Sequence, residues 1–372
     1  MKKLLGLLLG AASIFTFTAC SNKETLKVLN WGDYINKDVV KRFEKENKCN
    51  VKIILSTSNE NMYLNIKSNK SNYDIAVPSD YMISKLQKEG LLNKIDTTKL
   101  ENYKEGMYRE SLQTLINTDG AEYKDYFVPY FWGSLGIMYN KKKAGVEQAV
   151  KENGFKVLFD STVLPEGTTR GMYDCARDAF AAAEAYLGYS FNTTNDAELQ
   201  ECRDLLKANK YNVIGGDVLK DKVALGNLDL ALVYSGDYFE QRYKAIEDDE
   251  NPDAEFGLYA PTTKNNVFYD GLVIPTTSKN VDLAHKFIDF FLDTDNSFEN
   301  TDYVGYSATI EAVYQQYVEL ANDKDGEDYK YYSALMAIDA YDPSKITGGE
   351  VYKFISNDFD AKLEQYFVEA KS

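Results

Sequence analysis

Aromatic and acidic side chains recur together where apolar, strand-like runs of this sequence begin or end. They are Trp31, Asp33 and Tyr34 after LKVLN, Asp80 and Tyr81 (preceded by Ser79) after YDIAV, Tyr234, Asp237 and Tyr238 after DLALV, and Phe268, Tyr269 and Asp270 before GLVIP. The face of an aromatic ring attracts a cation, and a carboxylate pairs with an ammonium group. Acids and aromatics are both abundant here, so their position at strand ends, rather than their pairing, favours a ligand cleft over scattered surface pairs.

The pattern around these residues predicts alternating strands and helices. Residues 26–31 and 50–57 predict strands, and between them a helix is expected to begin after its cap, Asn36. Residues 73–79 predict another short strand, and Ser79 is expected to cap the helix that follows. Such alternation is typical of a parallel sheet covered on both faces, which binds ligands beyond the carboxyl ends of its strands.

A second region of the same kind follows. The apolar run at 130–142 suits a crossing between two lobes, which a chain of this length is expected to form. Beyond it the sequence predicts helices at 175–188, 196–210 and 281–292, strands at 229–236, 255–261 and 267–278, and a helix-rich tail.

The first 19 residues predict a segment that is removed from the mature protein. A basic start is followed by an apolar stretch too short for a spanning helix, and FTAC ends at Cys20. Small residues before a cysteine are typical of a bacterial lipoprotein signal, so we expect lipidation of Cys20 and a tether at 20–25. A plain secretory signal is the alternative. Either interpretation places the protein outside the cytoplasm, anchored to the outer face of the membrane or periplasmic.

Charge and composition exclude several function classes. The net charge of −16 argues against a nucleic-acid partner and favours a cationic ligand. The single histidine, His285, has helical apolar neighbours, which indicates a structural or surface role and leaves no multi-histidine zinc site. No phosphate-binding glycine motif follows a strand. We therefore expect no metal, no cofactor and no enzyme activity, although a hydrolase that uses two carboxylates stays open as an alternative.

The chemistry of such a cleft indicates one ligand class. Aromatic walls bury methylene groups at about 0.8 kcal/mol each, and separated acids pair with separated ammonium groups. The residues therefore predict a polyamine. Choline also binds in aromatic cages but needs fewer distributed acids. An amino-acid ligand would need a cation such as Arg177 for its carboxylate.

Six stretches of the sequence resemble the spermidine/putrescine-binding proteins of bacterial ABC transporters. They are, in the family's order, LNWGDYI, YDIAVPSDYMISKLQKEGLLNKID, PYFWGSLGIMYNK, DLALVYSG, FYDGLVIP and VGYS. The resemblance implies a two-lobed, type II periplasmic-binding-protein fold, with a mixed, mostly parallel sheet flanked by helices in each lobe. It also implies a monomer that closes over one polyamine and delivers it to permease subunits. The first lobe would comprise 26–135 and 259–300, and the second 136–258 and 301–372.

The same resemblance implies a set of ligand-binding residues. They are Trp31, Asp33, Tyr34, Ser79, Tyr81, Asp178, Tyr234, Phe268, Asp270, Tyr306 and Tyr352.

One departure from the family concerns charge. Where spermidine binders have two acids three residues apart, this chain has Cys175 and Asp178. Asp174 could compensate at a different angle. The missing carboxylate weakens the case for spermidine and favours putrescine or another cation. A sensor that uses the same fold to signal is a further alternative.

Overall fold

The structure is a computed structural model that describes residues 23–68, 70–249 and 254–372. The predicted signal segment and Cys20 lie outside the described residues, so lipidation stays a prediction. Strands and helices alternate along most of the described chain, which confirms the predicted α/β class. Within these three ranges, no helix is long and apolar enough to cross a membrane.

The strands of the described chain form one mixed sheet, and helices flank it. The strands are β1 Thr25–Asn30, β2 Asn50–Leu55, β3 Ile75–Ala76, β4 Leu92–Asn93, β5 Phe127–Asn140, β6 Arg170–Tyr173, β7 Val213–Gly215, β8 Leu230–Tyr234, β9 Phe256–Tyr259, β10 Val267–Pro275 and β11 Ser307–Ala308. The helices are α1 Lys37–Asn47, α2 Asn59–Ser68, α3 Asp80–Lys88, α4 Glu110–Asp119, α5 Val146–Asn153, α6 Lys156–Phe159, α7 Ala176–Leu187, α8 Asp196–Ala208, α9 Val218–Ala224, α10 Ser235–Asp249, α11 Val281–Leu292, α12 Thr294–Val304, α13 Glu311–Asn322, α14 Tyr329–Met336 and α15 Asn357–Lys371.

The long strand β5 joins two groups of parallel strands. The sheet order is β2-β1-β3-β10-β5-β8-β6-β7, with β4 beside β10 and with β9 and β11 beside β5. β5 pairs antiparallel with β10 up to Ser134 and antiparallel with β8 from Leu135 onward. Because β10 is also antiparallel to β3, the β1–β3 group and the β6–β8 group run in opposite directions. Their carboxyl ends therefore face each other near the middle of β5.

The core packs on both faces of the sheet. Val28 and Leu29 are neighbours in β1 but belong to different hydrophobic clusters, because successive side chains of a strand point to opposite faces. Phe131 and Trp132 in β5 divide in the same way. All residues of β5 are buried, as expected for a central strand covered by helices on both sides.

Local sequence signals at the helix starts are borne out, with one correction. Asn36 caps α1, and its side chain accepts a hydrogen bond from the backbone amide of Asp38 (2.9 Å). Ser79 precedes α3 as predicted, but its hydroxyl makes no capping hydrogen bond. The Ser79 hydroxyl oxygen instead accepts a hydrogen bond from Nδ2 of Asn59 (3.0 Å), which draws it away from the helix end.

His285 has the structural role that its helical setting predicts. It lies in α11 and is buried. Its Nε2 accepts a hydrogen bond from the backbone amide of Asp96 (3.0 Å), which ties α11 to the loop after β4.

Candidate ligand-binding site

A cavity of about 710 Å³ lies where the carboxyl ends of the two strand groups face each other. Its volume is within the roughly 300–1,000 Å³ of small-molecule sites. All eleven residues that the sequence analysis proposed line this one cavity: Trp31, Asp33, Tyr34, Ser79, Tyr81, Asp178, Tyr234, Phe268, Asp270, Tyr306 and Tyr352. Their contact with a ligand stays a prediction.

The turn after β1 places one ring and one carboxylate at the cavity. Nε1 of Trp31 donates a hydrogen bond to the backbone carbonyl of Val77 (2.8 Å), which fixes the indole beside the end of β3. Asp33 has a φ of 49°, a left-handed conformation that aspartate tolerates better than most residues. Its carboxylate is 54% exposed and lies 3.8 Å from Nζ of Lys244, so it is a loosely paired acid at the rim.

Asp270 is a buried carboxylate without a cationic partner. It lies at an irregularity of β10, opposite Ser79. Its Oδ2 accepts a hydrogen bond from the hydroxyl of Tyr34 (2.6 Å), while Oδ1 is buried without a hydrogen bond to any described residue. Burial raises the pKa of Asp270 to about 6, although the Tyr34 and Ser79 hydroxyls oppose that rise. A positive charge in the cavity would remove the cost of ionising this group.

Asp178 is a second buried carboxylate, in the first turn of α7. Its Oδ2 accepts a hydrogen bond from the hydroxyl of Tyr234 (2.6 Å), and its Oδ1 accepts one from Tyr352 (3.1 Å). Burial raises the pKa of Asp178, and the hydrogen bonds from Tyr234, Cys175 and Tyr352 lower it in part. The two hydroxyls also orient the carboxylate at the cavity wall, which prepares it to accept hydrogen bonds from a ligand cation.

Four rings form a continuous aromatic wall between these acids. The ring centroids of Tyr34 and Tyr306 are 5.0 Å apart, those of Tyr306 and Phe268 6.2 Å, and those of Phe268 and Tyr234 5.1 Å. All three pairs are edge-to-face, a favourable arrangement for rings. Gly236 permits this packing, since a Cβ there would lie 1.9 Å from the Tyr306 ring. The wall offers an apolar surface for methylene groups.

Two other carboxylates lie near Cys175, the residue that stands where spermidine binders have an acid. Asp174 does not stand free, because its Oδ1 is 2.7 Å from Nζ of Lys371. Glu60 of α2 contributes a carboxylate instead: it accepts a hydrogen bond from the Tyr81 hydroxyl (2.9 Å) and has no ion pair among the described residues. Burial raises the pKa of Cys175, and the charge of Glu60 is among the causes that raise it further. The sequence pattern gave no sign of Glu60, which approaches from a separate helix.

Other charged residues of the cavity were not among the eleven. They are Asp174, Arg177, Asp217, Lys220, Asp237 and Glu240. Asp237 carried a signal through its place after the strand that ends in Tyr234, and Asp174 and Arg177 were noted beside Cys175 and Asp178, whereas Asp217, Lys220 and Glu240 carried none. Lys220 and Glu240 lie on α9 and α10, and only the fold brings their side chains together.

Arg177 is engaged by the protein. Its Nη2 donates a hydrogen bond to the backbone carbonyl of Lys353 (2.9 Å) and lies 3.4 Å from Oδ1 of Asp360. The guanidinium also lies 5.3 Å from the ring centroid of Tyr81 and 4.9 Å from that of Phe359. These contacts fit a support of the cavity wall, while Nη1 of Arg177 is buried without a hydrogen bond to any described residue.

Sulfur and metal chemistry have no visible site in the described part of the chain. Cys49, Cys175 and Cys202 are all free thiols. Among the residues that the structure describes, no three or more His, Cys, Asp or Glu side chains are grouped so as to hold a metal ion.

Comparisons with known proteins agree with this architecture. Residues 29–297 match the family model described as bacterial extracellular solute-binding protein. The chain is 30% identical to the putrescine-binding periplasmic protein SpuD of Pseudomonas aeruginosa, over 82% of this chain and 83% of that protein. It is also 30% identical, over the same shares of the two chains, to the spermidine/putrescine-binding periplasmic protein of Salmonella typhimurium.

A solved structure gives the same result for the fold. The spermidine/putrescine ABC transporter substrate-binding protein PotD of Streptococcus pneumoniae, in complex with calcium and HEPES, superimposes with a TM-score of 0.69 and 30% identity. The match covers 94% of this chain and 99% of that one. The predicted type II fold is thereby confirmed, and these relatives are named as binding proteins rather than enzymes. The chain belongs to the bacterial extracellular solute-binding proteins.

Proposed function

We propose that this protein captures a polyamine, putrescine or spermidine, in its cavity and delivers it to the permease subunits of an ABC transporter. The observation that carries the proposal is the pair of buried carboxylates, Asp270 and Asp178, which have no lysine or arginine partner among the described residues. Burying a carboxylate without a counter-charge costs free energy. A ligand that brings ammonium groups supplies the missing counter-charges, and removing that cost favours its binding.

The form of the cavity favours a linear cation with more than one charge. Asp270 and Asp178 accept hydrogen bonds from different hydroxyls, Tyr34 for one and Tyr234 for the other, so they form separate anchor points. The aromatic wall between them suits methylene groups, and its ring faces suit ammonium groups. A quaternary amine such as choline would use the rings but leave one of the two acids without a partner. The names of the relatives from Pseudomonas and Salmonella support a polyamine as well.

The transport role implies domain closure over the ligand, which we place at the crossings between two lobes. The first lobe is formed by 26–135 and 259–300, and the second by 136–258 and 301–372. In support, β5 changes its pairing partner after Ser134, and the C-terminal helix α15 packs on α7 and α8. Hinge closure of this kind sequesters a ligand between lobes. The protein acts as a monomer in this scheme.

The N-terminal sequence adds a membrane anchor to the proposal. Lipidation of Cys20 would hold the binding protein beside its permease on the outer face of the membrane. Cells grown with a labelled fatty acid should incorporate the label into the wild-type protein and not into Cys20→Ala. Equal labelling of the two would refute the anchor and leave polyamine capture untouched.

Calorimetric titration tests the ligand. The purified protein is unfolded and refolded to remove any carried-over amine, then titrated with putrescine, spermidine, spermine, cadaverine and choline. We expect one polyamine per protein, tighter binding of a polyamine than of choline, and no turnover of the ligand. Absence of binding across this panel would refute the proposed function while leaving the fold in place.

A further inference from the structure

The cavity wall contains a lysine whose ammonium group is already neutralised. Lys220, from α9, is only 5% exposed. Its Nζ lies 2.6 Å from Oε2 of Glu240 and 3.6 Å from Oδ1 of Asp237, both on α10. Burial alone lowers the pKa of Lys220, but the charges of Asp237 and Glu240 outweigh burial and raise it above its ordinary value. Lys220 is therefore a permanent ammonium group within a site that we propose for ammonium ligands.

The acids around Lys220 are connected to the aromatic wall. Oδ1 of Asp237 accepts a hydrogen bond from the hydroxyl of Tyr306 (3.1 Å), and Oδ2 accepts one from the backbone amide of Tyr234 (3.0 Å). Both of these tyrosines line the cavity, so the Lys220 group borders the same space as the two unpaired acids. The other oxygen of Glu240 pairs with Lys244, whose side chain is half exposed and also lies near Asp33 at the cavity rim.

The neighbouring acid, Asp217, lies on the same side of the cavity. Its Oδ1 accepts a hydrogen bond from the hydroxyl of Tyr173 (3.0 Å), and its charge is among those that raise the pKa of Lys220. Asp217 is exposed and makes no ion pair with a described residue, whereas the buried carboxylates of the cavity are of two kinds. Asp270 and Asp178 lack a cation, whereas Asp237 and Glu240 share the ammonium group that the chain itself supplies.

We propose that Lys220 determines ligand length, because its ammonium group occupies the position that a third ammonium group of a longer polyamine would need. This inference rests on the proposed polyamine function. A diamine places its two charges at the two buried acids that lack a cation. A triamine would bring its third charge toward Asp237 and Glu240, which Lys220 already neutralises, so the third ammonium group would lose its water without gaining a free carboxylate. The wild-type protein therefore prefers putrescine to spermidine.

Replacing Lys220 by methionine tests the inference. Lys220→Met keeps an unbranched side chain and removes the ammonium group, leaving Glu240 and Asp237 free to accept one from the ligand. We expect the affinity for spermidine, relative to putrescine, to rise at least tenfold in calorimetric titrations. The matched control is Lys151→Met, which removes a largely exposed lysine paired with Glu147 four residues away, neither of them in the cavity lining, and it should leave the ratio within about twofold of wild type.

The outcomes separate this inference from the proposed function. An unchanged spermidine-to-putrescine ratio in folded Lys220→Met, with putrescine still bound, would overturn the inference alone. A wild-type protein that binds no polyamine would overturn both, and a wild type that prefers spermidine would overturn the inference.

A second measurement covers loss of folding. If Lys220→Met is too unstable to titrate, Lys220→Ala is examined by thermal unfolding with and without ethylammonium chloride, using sodium chloride as the ionic control. The space vacated by the lysine should accept the small cation, so ethylammonium should raise the Tm of Lys220→Ala and not that of wild type. The same response to both salts would show that the position is not an ammonium site and would overturn the inference.

Discussion

Asp270→Asn should weaken polyamine binding and at the same time stabilise the ligand-free protein. Burial raises the pKa of Asp270 from 3.8 to about 6. At neutral pH this shift means that ionising Asp270 costs about 3 kcal/mol more in the folded protein than in the unfolded chain. Asparagine has nearly the same shape and can still accept the hydrogen bond from Tyr34. Its amide group leaves an N–H without a partner, at a cost of about 1–2 kcal/mol. The net gain in the free energy of unfolding is then about 1–2 kcal/mol.

The raised pKa of Asp270 also determines how the stability difference between wild type and Asp270→Asn changes with pH. The folded protein holds the proton of Asp270 up to about pH 6, whereas the unfolded chain releases it near pH 3.8. Stability from this group is therefore intact below about pH 4 and is lost as the pH rises through 6. The advantage of Asp270→Asn should be present at pH 7, worth about 1–3 °C in Tm for a chain of this size. At pH 4 the variant should be less stable than wild type, because Asp270 is then protonated in the fold and only the cost of the unpaired N–H remains. Putrescine binding to wild type should weaken below pH 6, because protons compete with the ligand ammonium.

The binding loss follows from the same carboxylate. Removing one partner of a buried charge pair costs about 2–5 kcal/mol, so the Kd for putrescine should rise more than tenfold. Titration calorimetry measures this Kd, and thermal unfolding of amine-free protein at pH 4 and pH 7 measures the stability.

A partly buried acid outside the cavity provides the control. Asp302 also has its pKa raised to about 6 by burial, and it accepts a hydrogen bond from Tyr332 (3.0 Å), but it lies outside the cavity lining. Asp302→Asn should leave the Kd unchanged. Unchanged affinity in Asp270→Asn would place Asp270 outside the site. Reduced affinity together with a lower Tm at pH 7 would instead make Asp270 a structural residue and refute the reasoning.

Three further substitutions test other parts of the cavity. Trp31→Leu should raise the Kd for putrescine about tenfold with little change in Tm, and a large loss of Tm would assign the ring to the core. Cys175→Asp adds an acid beside Asp178, so the spermidine-to-putrescine affinity ratio should rise while the ligand-free Tm falls; a constant ratio in calorimetry would contradict this. Glu60→Gln keeps the hydrogen bond from Tyr81 but removes a charge near the site. The polyamine Kd should therefore rise severalfold at low salt and less at high salt. An effect that does not depend on salt would indicate a change in packing instead.

The elements around the site were predictable where local signals were strong. The strand at Thr25–Asn30 and the helix Lys37–Asn47 follow from periodicity and from the Asn36 cap, which act within a few residues. The capping role of Ser79 failed, because Asn59, twenty residues away in the sequence, supplies the competing hydrogen bond. Local propensity contains no information about such a partner.

The grouping of the site residues was predictable for a different reason. Carboxyl ends of parallel strands lie at one edge, so residues after several strands must come close together. The pairing within the cavity was not predictable, since Tyr34 and Asp270 are 236 residues apart and meet through the order of strands in the sheet. The same holds for Lys220 and Glu240, whose helices show only ordinary amphipathic patterns.

The charges of the cavity can be considered as one balance. Lys220 compensates Asp237 and Glu240, so among the buried carboxylates of the cavity two are left without a cation, Asp270 and Asp178. If acidity alone determined the ligand, any cation would bind and the longest polyamine would bind best. Because the protein neutralises part of its own acidity, Asp270 and Asp178 are the buried acids that remain without a cation. They set how many ammonium groups of a ligand find a free carboxylate partner. On this reasoning the internal lysine contributes to selectivity as much as the acids contribute to affinity.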